Sequence, residues 1–309
     1  MTSALMANSD VGKGTGEPFP SLPDAKTRLI GVLGYPVSHS LSPLIHNTAF
    51  RAQGLNNRYI ALPVAPADVP QAVAGLKALG FLGSNVTIPH KQAVLPLMDD
   101  LSAEAQAVGA VNTIVCRRDG EAVTLYGDNT DVAGFLEPLS SSADALHGAP
   151  MLIFGAGGAA RAVAYALLST FGPERLTLAA RTPARAERLA ADLAPYDLGG
   201  ALHVASLAEA TSNVRAARLL VNATPVGMHP HAAATPWPAS DDFSDGQIVY
   251  DLIYKPEQTR LLREADARGA RTLGGLDMLI LQAAASYIQW TGTAMPVDLV
   301  RTALWDAGF

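Results

Sequence analysis

Cysteine is nearly missing from this chain: Cys116 is the one such residue among 309. A single thiol excludes an internal disulfide framework and any cysteine-rich zinc site, and it fits a reducing, cytoplasmic setting. Charge is sparse too. Charged side chains make up 16% of the chain, with 22 basic and 28 acidic residues, so the net charge is 22 − 28 = −6. No basic stripe stands out, which argues against nucleic acid as a partner. Long hydrophobic runs are also missing. Hydrophobic residues reach 49%, but they come in pieces far shorter than the roughly 20 residues of a membrane helix, so no membrane span is expected. The opening MTSALMANSDVGKGTGEPFPSLPD has no basic stretch leading into an apolar one, unlike a secretory signal. Its Gly, Ser and Pro content predicts a flexible tail over residues 1–27.

What is present alternates. The length suits about two domains and is ample for a buried core. Short apolar runs at Arg28–Leu33, Tyr59–Val64 and Gly83–Thr87 read as strands. Helical spacing marks Pro43–Ala52, with Pro43 in its first turn, Val69–Leu79, which stops at Gly80, and residues 102–109. Thr113–Arg117 and Val123–Tyr126 flank Asp119-Gly120 and predict a hairpin. The pattern is an α/β unit with a largely parallel sheet and one antiparallel piece.

A second unit starts near Pro150. Strand signals at Met151–Phe154, Arg175–Ala180, His203-Val204, Leu219–Val221 and Ile248–Tyr250 alternate with helical ones at Ala159–Leu168 and Pro183–Ala194. That order is doubly wound α/β. Apolar helices at Met278–Thr291 and Val297–Ala307 close the chain.

Between the first strand and helix of this unit stands Gly155-Ala156-Gly157-Gly158-Ala159-Ala160, a G-x-G-x-x-A turn. The first glycine permits the tight turn, the second lets backbone approach a pyrophosphate, and the small sixth residue allows close helix–strand packing. The helix start then offers free N–H groups to phosphate. The next strand ends Ala180-Arg181-Thr182, with Arg185 beyond and no carboxylate. An NAD site ordinarily holds Asp or Glu there for the ribose hydroxyls. Two guanidiniums beside a threonine instead suit a 2′-phosphate, so the expected cofactor is NADP.

Four polar clusters lie at strand ends or helix starts, where ligands bind in open α/β sheets: Ser38–Pro43, Asn85–Lys91, Gly109–Thr113 and Gly127–Asp131. Three more follow: Asn222–Met228, Tyr250–Pro256 and Gly275–Leu279 with Gln282. Taken in this order with the glycine turn, from about Arg28 to the C-terminus, they resemble the shikimate dehydrogenase family. Its members reduce 3-dehydroshikimate to shikimate with NADPH on the way to aromatic amino acids.

The resemblance implies a discontinuous α/β substrate-binding and catalytic domain, 28–129 plus 277–309, and a Rossmann-type NADP-binding domain, 130–276. It implies Lys91 and Asp131 as the catalytic pair, with the formal acid left open. Ser40 and Ser42 would bind the substrate carboxylate, with Tyr254 nearby in the substrate site. Thr87, Asn112 and Gln282 would bind ring hydroxyls, and Asn85 would shape the same wall. On the cofactor side it adds Asn222, Thr224, Gly275 and Met278 to Gly155, Ala156, Gly157, Gly158, Ala159, Arg181, Thr182 and Arg185, although Met278 also suits a core. The partner is a small-molecule substrate, and the chain a monomer or homodimer. Two positions depart from the family pattern: Val132 follows Asp131 where glycine is common, and Ala180 precedes Arg181 where asparagine is common.

Other residues read as structural. His39 and His90 suit surface or capping roles, and Asp128 suits a turn. Cys116 suits a buried strand. His229 and His231 lack nearby carboxylate or thiolate, so no metal is expected. Two alternatives stay open: a quinate/shikimate dehydrogenase of broader specificity, whose members tend toward NAD, and a non-catalytic dinucleotide-binding sensor on the same fold.

Overall fold

The computed structural model describes residues 22–309. Most of the expected tail lies outside the described residues. Its end is tied down: the Asp24 N–H donates to Thr27 Oγ1 at 2.8 Å, and Asn56 Nδ2 donates to Asp24 Oδ1 at 2.8 Å.

Two six-stranded sheets organise the chain. The first holds β1 (Arg28–Gly34), β2 (Asn57–Pro63), β3 (Gly83–Val86), β4 (Asp100–Leu101), β5 (Thr113–Asp119) and β6 (Ala122–Asp128), in the order β2-β1-β3-β5-β6-β4. β1 runs parallel to β2 and β3, β5 runs antiparallel to β3 and β6, and β4 runs parallel to β6. The hairpin loop sits one residue later than its sequence suggested. Asp119 still pairs with Ala122, so Gly120 and Glu121 form the loop. A two-residue hairpin needs positive φ at its first loop position, and Gly120 provides it at +57°.

The second sheet holds β7 (Met151–Phe154), β8 (Leu176–Ala180), β9 (Leu202–Ser206), β10 (Leu219–Asn222), β11 (Ile248–Asp251) and β12 (Arg271–Leu273), in the order β12-β11-β10-β7-β8-β9. Every ladder is parallel. This is the doubly wound arrangement, and its strand order reverses between β7 and β10. β7, β8, β10 and β11 are buried along their whole length because helices cover both faces.

The two C-terminal helices, Gly275–Thr291 and Val297–Asp306, return to the first sheet. Ile280, Tyr287, Trp290 and Leu304 share one core with Ile30, Val32, Ile45 and Tyr59. A short helix, Asp131–Leu136, leaves the first sheet and buries Phe135 among second-sheet residues such as Met151 and Tyr250. It also crosses the helix Gly275–Thr291. A Cβ on Gly134 would stand 2.6 Å from the Gln282 backbone nitrogen, so glycine there sets the close approach. Among the described residues no helix is long and apolar enough to cross a membrane.

Candidate active site

The C-terminal ends of β1 and β3 open onto a cavity of about 530 Å³. It is lined by Ser40, Ser42, Asn85, Thr87, Lys91, Asn112, Asp131, Tyr254 and Gln282, which are the substrate-side residues expected from the sequence. Ala159, Gly275 and Met278 line the same cavity.

Local rules explain the positions. Ser42 opens a helix, with Pro43 in the first turn, and the Ser42 N–H donates to Ser40 Oγ at 3.3 Å. Asn85 spends its polar atoms inside the wall. Tyr59 OH donates to its Oδ1 at 2.6 Å, and its Nδ2 donates to the Asn112 carbonyl and to Thr113 Oγ1. Asn112 works in two directions. Its Oδ1 accepts the Thr130 N–H at 2.7 Å, while its Nδ2 donates to Asp131 Oδ1 at 2.8 Å. The other Asp131 oxygen accepts Lys91 Nζ at 2.6 Å. The pair is only partly screened, with side chains 31% and 16% exposed. The hydroxyls of Thr87 and Tyr254 make no hydrogen bond among the described residues, and burial holds the Tyr254 phenol above its usual range, so it is a neutral donor.

A second cavity, of about 430 Å³, lies over the ends of β7 and β8 and is lined by Gly155, Ala156, Gly157, Arg181, Thr182, Arg185 and Thr224. Gly155 has φ +109°, and a Cβ there would come within 2.8 Å of Thr224 Cγ2. A Cβ on Gly157 or Gly158 would meet nothing within 4 Å, so the start of the helix Gly158–Phe171 faces open space. Its backbone N–H groups fit a phosphate there. Arg181 and Arg185 are exposed and make no ion pair among the described residues. These features fit a dinucleotide carrying an extra phosphate. A third cavity, of about 290 Å³, contains Lys91, Asp131, Gly158 and Ala159, so the helix start and the Lys91–Asp131 pair adjoin.

Some residues fall elsewhere than expected. Asn222 lines none of these three cavities and is fully buried. Its Oδ1 accepts from the Thr224 N–H and hydroxyl, and its Nδ2 donates to the Val226 carbonyl and Asp251 Oδ1. Its side chain therefore shapes the loop that Thr224 sits on. His90 is not a surface residue: it is 1% exposed, and its Nε2 pairs with the Val64 carbonyl at 2.7 Å. Asp128 does not stand in a free turn. It ends β6, and its Oδ2 accepts Gln289 Nε2 at 2.6 Å from the C-terminal helix. Cys116 is buried in β5 as expected, and burial pushes its thiol up to about 11. Met278 is partly buried against the core beside the first cavity.

Two residues near the site went unassigned. His46, one turn beyond Ser42, is fully buried and stacks on Tyr59 at 4.3 Å, and burial lowers its pKa to about 3. Asp251 ends β11 beneath the loops of both main cavities. The available signal was an acidic residue closing an otherwise apolar central strand.

Comparison with known proteins agrees with this geometry. A family model described as the shikimate dehydrogenase substrate binding domain matches residues 32–114, and one described as the shikimate 5′-dehydrogenase C-terminal domain matches residues 275–304. The shikimate dehydrogenase (NADP(+)) of Salinibacter ruber is 62% identical over 283 residues, covering 91% of this chain and 98% of that protein. A crystal structure of a shikimate dehydrogenase in complex with NADP+ superposes with a TM-score of 0.86 at 37% identity, covering 94% of this chain and 99% of that one. The Listeria monocytogenes shikimate 5-dehydrogenase, in complex with shikimate and NAD, gives 0.85 at 33% identity, covering 93% and 100%. The chain belongs to the shikimate dehydrogenase family.

Proposed function

We propose that the chain is an NADP-dependent shikimate dehydrogenase, interconverting 3-dehydroshikimate and shikimate on the route to aromatic amino acids. The observation that carries this reading is the Lys91–Asp131 pair, 2.6 Å apart in a cavity lined by neutral donors and adjoining a dinucleotide turn. The substrate domain comprises 28–129 and 277–309, and the cofactor domain 130–276.

The first cavity holds the substrate. Hydroxyls of Ser40, Ser42 and Tyr254 take its carboxylate. Thr87, Asn112 and Gln282 take its ring hydroxyls, Asn112 as a donor because Thr113 and Thr130 already fill its Oδ1. Asn112 keeps one Nδ2 hydrogen for this after bonding Asp131. The cofactor is held by the Gly155–Ala159 turn and by Arg181, Thr182 and Arg185, with Thr224 across the turn. Bound NADPH supplies hydride to the ketone carbon.

As hydride arrives, negative charge grows on the ketone oxygen. Lys91 stabilises that charge and donates a proton to it. Asp131 aims the ammonium and takes part in returning the proton, and Asn112 in turn aims Asp131. In the oxidation direction the same pair removes the hydroxyl proton.

Shikimate-dependent reduction of NADP+, followed at the nicotinamide absorbance with NAD+ and quinate in parallel, tests the reading. Turnover confined to shikimate and NADP+ is expected. Turnover with quinate or NAD+ would move the chain to the broader-specificity relatives. NADPH binding without turnover would leave a dinucleotide sensor.

A further inference from the structure

Asp251 is a carboxylate with 0% exposure, and it makes no ion pair among the described residues. Its Oδ1 accepts two hydrogen bonds, one from the end of β10 and one from the loop after β11. One comes from Asn222 Nδ2 at 2.9 Å and the other from the Ile253 N–H at 3.1 Å. Its Oδ2 accepts the Thr259 hydroxyl at 2.7 Å, at the cap of the helix Arg260–Asp266. β10 and β11 are paired in register at this point, Asn222 against Asp251, so both strands end beside one oxygen.

The two segments lead to different cavities. Asn222 holds the N–H and hydroxyl of Thr224, and Thr224 lies over Gly155 in the second cavity. Ile253 stands between Leu252 and Tyr254, which line the first cavity, and its carbonyl accepts the Gly275 N–H at 3.2 Å. Gly275 begins the helix that carries Gln282.

We propose that Asp251 is a positioning residue that ties the cofactor wall to the substrate wall, so that occupation of either cavity raises affinity at the other. A ligand seated against Thr224 holds Asn222, and with it the carboxylate oxygen that orients Ile253 N–H. The second ligand then meets a wall already ordered, and linkage makes the gain equal in both directions. The proposal rests on the assignment of the two cavities to substrate and cofactor.

NADPH and shikimate bind together without reacting, so their coupling is measurable as the change in NADPH dissociation constant when shikimate is saturating, read by nucleotide fluorescence. In the native protein a tightening of about five-fold or more is expected. Asp251→Ala should reduce it to within about two-fold of none. Asp251→Asn keeps an oxygen at Oδ1 and should retain the coupling. Thr259→Val removes the helix cap and the bond to Oδ2 but leaves both bonds to Oδ1, so it should lower thermal stability and leave the coupling intact. Where Asp251→Ala does not fold, Asn222→Ala severs the same bridge from its other end and should lose the coupling.

No coupling in the native protein overturns the proposal. So does coupling that survives Asp251→Ala or Asn222→Ala, or that Thr259→Val abolishes equally. In those cases native turnover of shikimate leaves the assigned function standing. A native protein that binds neither ligand removes the assigned function and this proposal together.

Discussion

Replacing Lys91 by Met separates chemistry from stability. The side chain keeps its unbranched stem as far as Cε but loses the ammonium that sits 2.6 Å from Asp131 Oδ2. Asp131 stays held by Asn112 Nδ2 at 2.8 Å, so the remaining carboxylate does not swing free. The pair is partly solvated, with Lys91 31% exposed, and pairs of that kind contribute at most about 1 kcal/mol to folding. The melting temperature should therefore move by less than about 4 °C in a chain of this size. A positioned acid contributes about 10²- to 10⁴-fold to rate, so kcat should fall by that factor, about 3–5 kcal/mol in barrier height. Steady-state shikimate oxidation at saturating NADP+ gives kcat and KM separately, and a thermal melt gives the stability. If kcat stays within about ten-fold while KM for shikimate carries the loss, Lys91 only binds substrate and the reasoning is wrong.

Two further predictions concern charge. Arg181→Ala with Arg185→Ala removes two unpaired guanidiniums from the second cavity. Each charge-assisted bond is worth about 1.5–3 kcal/mol, so KM for NADPH should rise at least ten-fold with KM for NADH unchanged, and equal changes in both would refute the clamp. Asp251 tests burial: desolvation raises its carboxyl to about 6 from 3.8 against the pull of its three hydrogen bonds. The fold favours the neutral form, so this contribution is full below about pH 4 and is lost as pH rises through about 6, a span worth about 3 kcal/mol. Asp251→Asn cannot ionise, so in urea denaturation it should gain on the native protein between pH 4 and pH 7, and a difference independent of pH would refute the burial argument.

Local chemistry made part of this molecule legible in the sequence. β7 and the turn after it need only a short apolar run, a glycine able to adopt positive φ, and small residues where helix meets strand. Met151–Phe154 accordingly formed as read. Elements too short to show a period were missed: β4 has two residues, β12 three, and the helix Asp131–Leu136 six. Side-chain direction was also hidden. At a strand end the sequence does not say whether an asparagine faces a ligand or the next strand, and Asn222 faces Asp251. A histidine in a polar motif resembles a surface residue, but His90 turns inward to satisfy the Val64 carbonyl.

The Lys91–Asp131 contact spans 40 residues of sequence, and no spacing rule reaches that far. Sheet topology produces it. β5 runs antiparallel to β3, and β6 runs antiparallel to β5, so β3 and β6 point the same way. The loop after β3, which carries Lys91, and the loop after β6, which leads to Asp131, therefore emerge at one edge. Asn112, just before β5, starts at that same edge and bridges the two, with its Oδ1 on the Thr130 N–H and its Nδ2 on Asp131. The hairpin that the sequence announced through Gly120 is thus what brings Lys91 and Asp131 together. Asp131 also begins the helix that runs under the second sheet and against Gln282 at Gly134. The carboxylate paired with Lys91 thus stands where the chain passes from one sheet to the other.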